Sequence, residues 1–147
     1  MEITIGILGF VIEIIAIEYF FFSKHKEEKE EEQIDPLEAK FKATQKLSEE
    51  VQLDIENYIL KADASDQLLF KDMTFSEYLA HLKETHRENL SDNLYERLRN
   101  LELTKSNSVF IIKSLEFQFS ALLQIKNKIQ LLELLYSKRL TLSESQN

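Results

Sequence analysis

The sequence predicts an all-α protein, an N-terminal single transmembrane helix followed by an antiparallel three-helix bundle. Three observations carry that prediction. An apolar run, ITIGILGFVIEIIAIEYFFF, fills Ile3 to Phe22. Both glycines, Gly6 and Gly9, lie inside it and the only proline is Pro36, so the rest of the chain lacks the usual turn punctuation. Beyond Pro36, apolar residues recur at steps of three and four over three long segments, the period of an amphipathic helix.

The anchor comes first. Twenty residues at the helical rise span about 30 Å, the thickness of a bilayer's hydrocarbon core. Ile, Leu, Phe and Val make up thirteen of them. Each favours insertion by about 0.3–0.6 kcal/mol, or ~4–8 together. Glu13, near the midpoint, opposes this by about 2.5–3.5 kcal/mol when ionised, while Glu18 is close enough to the boundary to reach headgroups. Insertion wins, and wins securely once Glu13 is protonated or partnered. At about 100° per residue, Gly6, Gly9, Glu13 and Ala16 share one stripe. Small residues there allow close backbone approach, so this stripe is the expected packing face against other transmembrane helices. The alternative is a buried central helix of a soluble protein. A cleaved signal is disfavoured, because no basic residue precedes the run and Phe20-Phe21-Phe22-Ser23 offers no small-x-small site.

Lys24, Lys26 and Lys29 follow the anchor, which places the N-terminus outside and the C-terminal domain in the cytoplasm. A two-residue head, an apolar helix ending in aromatics and a basic pair after it give a layout that resembles the bacterial septation-ring regulator with spectrin-like repeats. The resemblance spans about the first 27 residues. This chain is too short for those repeats, and no function is carried over.

Residues 23–34 read as a charged juxtamembrane spacer, with no apolar side chain from Ser23 to Gln33. The bundle is expected over residues 35–140, and 141–147 as a flexible tail. Its first helix opens at Asp35 as cap, with Pro36 and Glu38 behind it, and ends near Lys61. Leu37, Phe41, Leu47, Val51, Ile55 and Tyr58 form its stripe. A loop follows at Ala62–Asp66, and Gln67–Lys71 suggests a further helical turn. Thr74 and Glu77 form a capping box for a second helix, expected to run unbroken to about Leu103 with a break near Ser91 as the alternative. A third helix is expected from about Ser108 to Leu140, capped by Ser106 or Asn107. Its stripe is Ile111, Ile112, Leu115, Phe119, Leu122, Ile125, Ile129, Leu132, Tyr136 and Leu140.

That last helix has more apolar surface than a bundle needs. Phe110, Phe117, Leu131 and Leu135 make a second ridge more than 90° from the first. Either both neighbouring helices cover it or it is a surface for a partner or a second copy.

Chemistry is sparse. Net charge is −8, and setting aside Glu2, Glu13 and Glu18 leaves 18 basic against 23 acidic residues, which argues against nucleic acid. There is no cysteine, no glycine loop to cradle phosphate and no Gly-x-Ser-x-Gly elbow. No catalytic residue, metal site, cofactor or small-molecule substrate is expected. Glu77, His81, Glu84 and Glu88 share a helix face, but such a set is ordinary solvated charge rather than a metal cradle. His86, beside the apolar stripe, reads as a packed histidine. The function expected is a membrane-anchored helical scaffold or accessory subunit of a homo- or hetero-oligomeric complex. The alternative is a subunit of an ion- or proton-driven machine working through Glu13.

Overall fold

A computed structural model describes residues 34–146. The anchor, its Gly6–Gly9–Glu13–Ala16 stripe and the charged run up to Gln33 lie outside the described residues, as does the side chain of Asp35. The described chain is mostly helical: α1 (Ile34–Ala62), a hairpin of β1 (Leu68–Phe70) and β2 (Met73–Thr74), α2 (Phe75–Asn89), α3 (Asp92–Asn100) and α4 (Lys105–Glu144).

Side-chain pairings give the directions. Along α1, Lys40 lies over the Phe119 ring, Glu50 meets Lys126 and the Lys61 carbonyl accepts from Tyr136, so α1 and α4 run parallel. Tyr58 stacks on Phe75, Glu56 pairs with Lys83 and Ser48 meets His86, so α2 runs antiparallel to α1. The arrangement is up, down, up. The expected α1 stripe from Leu37 to Tyr58 is buried throughout.

Without a glycine after residue 9, α1 ends on Asp63, which takes the left-handed conformation at φ 49°. The Ala64 amide donates to the Ile59 carbonyl at 3.1 Å, the six-to-one bond of a Schellman ending. Asp is one of the few side chains that tolerates this position.

Two local expectations are corrected. Gln67–Lys71 forms no helical turn; Leu68–Phe70 pairs with Met73–Thr74, which buries Leu69 and Phe70 over the end of the bundle. The second helix is also not continuous to Leu103. Leu90 ends α2, and Ser91 starts α3 with its hydroxyl accepting from the Leu94 amide at 3.2 Å. Tertiary contacts hold the break open: Gln45 donates to the Leu90 carbonyl at 2.8 Å and, with Lys42, to the Asp92 carboxylate. An unbroken helix would carry Leu94, Tyr95 and Leu98 more than 90° away from Phe75, Tyr78 and Leu82. The break turns both sets inward, where all six are buried.

α4 begins three residues before Ser108, with Thr104 rather than Ser106 or Asn107 as cap. It continues through Glu144, where Thr141 and Ser143 hydroxyls donate back to the Ser137 and Leu140 carbonyls.

Candidate interaction surface

α4 is the longest helix, and its two apolar ridges meet different surroundings. Ile111, Leu115, Leu122, Ile125 and Ile129 are buried, while Phe119, Leu132 and Tyr136 pack partly buried against the same core. Leu140, which the sequence places in this stripe, is 44% exposed, because it lies beyond the level at which α1 ends.

On the other ridge, Phe110 is 47% exposed, Phe117 54%, Leu131 57% and Leu135 47%. No described element covers it. The explanation is geometric. α1 and the α2–α3 leg pack on one side of α4, whereas this ridge faces away at ~100° or more from the line through Ile111 and Ile129. Scattered single exposed leucines are normal on protein surfaces; a row of four large apolar side chains that includes two phenylalanines is not. Polar contacts fix the helix that carries it. Lys126 donates to Glu50 at 2.6 Å and holds that carboxyl below the usual carboxylate range. Lys128 donates to the Leu69 carbonyl at 2.7 Å and lies over the Phe70 ring, locking α4 to the hairpin.

Among the described residues α4 is also the one helix long and apolar enough to cross a membrane by length and composition. Of its most apolar 18-residue window, 44% is buried inside the protein. Core helices pass that test too, and the pairing of Lys126 and Lys128 with α1 and the hairpin gives α4 that role here.

The core itself contains a feature that the periodicity does not reveal. Two apolar clusters are stacked along the bundle, a lower one with Leu37, Phe41, Leu94 and Leu115, and an upper one with Val51, Leu82, Leu122 and Ile129. Between them each long helix contributes buried polar residues. Thr44 and Ser48 come from α1, Thr85 and Asn89 from α2, and Gln118 from α4. Thr44 donates to the Lys40 carbonyl at 2.8 Å, and Ser48 is 3.0 Å from Nδ1 of His86. Nδ2 of Asn89 and Oε1 of Gln118 are buried without a hydrogen-bond partner. His86, packed beside this layer, is held below the usual histidine range by burial, against the opposing pull of Glu49 and Asp92. The signal in the sequence was polar residues in phase with apolar stripes, Thr44 after Phe41 and Gln118 between Leu115 and Leu122.

The acidic and histidine face of α2 is divided among local tasks. Glu77 accepts from the Thr74 amide and hydroxyl, which lowers its pKa, and Glu84 is bound by Arg87. His81 has its Nε2 buried without a partner. Among the described residues no group of three or more His, Asp or Glu side chains is placed to hold a metal. No family model matches this chain, and no curated protein and no solved structure matches it either.

Proposed function

We propose that this protein is a single-pass, membrane-anchored helical subunit whose bundle serves as a scaffold or accessory part of a membrane complex. The anchor is Ile3–Phe22, with the N-terminus outside and the bundle in the cytoplasm. The single observation that carries the assembly role is the uncovered ridge of Phe110, Phe117, Leu131 and Leu135 on a helix whose opposite side is core. Covering an apolar row of this kind with another surface removes it from water and is favourable. The chemistry that suits it is another helix with an apolar face.

The test is Phe117→Glu in the full chain, extracted in mild detergent and sized by sedimentation. At 54% exposure the substitution should change stability by no more than about 1 kcal/mol. The expected result is a smaller particle with unchanged helical circular dichroism. An unchanged particle size refutes the assembly role. Loss of the whole fold would place Phe117 in the core.

A further inference from the structure

We infer that the α4 ridge is the contact face of a parallel, in-register dimer of this chain. The inference rests on the reading of the ridge as an assembly surface and names its occupant. Phe110, Phe117, Gln124 and Leu131 succeed one another at intervals of seven, the repeat by which two helices stay in contact along a left-handed supercoil. Four residues after each phenylalanine stands a small, nearly buried side chain, Ser114 at 5% exposure and Ala121 at 8%. Ser114 and Ala121 are covered by the bundle itself, so the knobs of the seam are Phe110, Phe117, Leu131 and Leu135. Lys128, four residues after Gln124, is drawn aside to the Leu69 carbonyl. A two-fold axis supplies the complementary set from a second copy.

Gln124, exposed at the middle of the row, fits a like partner. An amide carries both donors and acceptors, so two Gln124 side chains can bond to each other without a foreign group. A single polar residue in such a seam also sets the register. The area suffices. With Leu142 at 56% exposure, the row leaves five half-open large side chains per copy. At about 150–250 Å² for a large side chain, covering both copies removes roughly 750–1,250 Å², reaching the low end of specific interfaces.

Direction follows from where α1 starts. α1 and α4 run parallel, and Leu37 shares a cluster with Ile111 and Leu115, so the preceding chain leaves from the base of α4. In an antiparallel pair one copy's α1 would start at the far end, roughly 43 Å away for 29 helical residues. The eleven residues from Ser23 to Gln33 reach at most about 36–40 Å fully extended. With Ile3–Phe22 as anchors and the bundles upright on the bilayer, this reach favours the parallel pair, and confinement to the plane raises the effective concentration.

The chain has no cysteine, so single substitutions report directly. Full-length Gln124→Cys and Leu131→Cys, oxidised in native membranes, should each form a disulfide dimer several-fold more than Leu53→Cys, on the solvent face of α1. A dimer at Gln124 with none at Leu131 overturns the parallel register. Equal yield at Leu53, or none at either ridge position, removes the second copy as occupant. The Phe117→Glu sizing then decides whether the ridge binds a different chain or nothing. If either variant loses its helical circular dichroism, Lys138→Cys, seven residues beyond Leu131, takes its place.

Discussion

Gln118→Met tests whether the polar layer within the core is a liability for stability. Gln118 is 2% exposed, lies between Leu115 and Leu122, and has its Oε1 without a partner. Leaving a buried acceptor unsatisfied costs about 1–3 kcal/mol. Methionine has nearly the same length and volume, so no cavity opens and the strain of overpacking is avoided. The net expectation is a gain of about 1 kcal/mol. At about 2.1 cal/mol/K per residue for a bundle of this size, that raises Tm by about 4 °C. Thermal and urea unfolding of the full chain in detergent, followed at 222 nm, measure both quantities. Destabilisation by more than about 1 kcal/mol would refute the reasoning, because it would mean that the oxygen is satisfied by a buried water held in the layer.

Asp63→Gly should stabilise the chain by about 0.5–1 kcal/mol, because glycine takes a left-handed helix ending without a Cβ clash; a loss in urea midpoint would count against the Schellman assignment. Ser91→Ala removes the acceptor of the Leu94 amide and should cost about 1 kcal/mol. Were α2 and α3 one continuous helix, alanine would stabilise instead. His86 is held below its usual range in the folded state, so above the unfolded value near 6.5 it contributes its full stability. That contribution declines as pH falls through 6.5 and is lost once pH passes below the folded pKa. His86→Gln should flatten this part of the pH–stability curve, and an unchanged slope would assign the dependence to the carboxylates.

Long-range structure was legible where one residue class repeated at one period. The α1 stripe and the Ile111–Ile129 stripe were readable because aliphatic and aromatic residues keep the helical step over about five to six turns. The hairpin was not readable, since LLFKDMT has neither a glycine turn nor strict alternation. What makes it a hairpin is the core surface beneath Leu69 and Phe70. The break at Ser91 was hidden for a related reason. Leu90, Leu94 and Leu98 continue the stride of four in sequence, while the contacts that end α2, from Gln45 and Lys42, come from more than forty residues away. Tyr78 and Tyr95, both buried, lie off the line of Leu82, Leu90, Leu94 and Leu98 that the stride of three and four follows.

The ridge was legible as excess, and the fold gives that excess a location. A helix with apolar residues on two sides is explained by a third neighbour or by a partner, and periodicity alone does not distinguish the two. The distinction comes from the short α3 and the small hairpin. Because the down-going leg is split at Ser91, α3 turns its buried face onto Leu37, Phe41 and Ile111 at the base of the bundle. The hairpin caps the other end, with Leu69 and Phe70 over the upper cluster. Neither element extends across Phe117 or Leu131. Helix α4 therefore spends one side on its own core and leaves the other as an apolar row interrupted at Gln124, stiffened from behind by the Lys126–Glu50 pair. A rigid helix that already has its geometry loses little conformational entropy on docking, which favours the proposed association through half-exposed side chains.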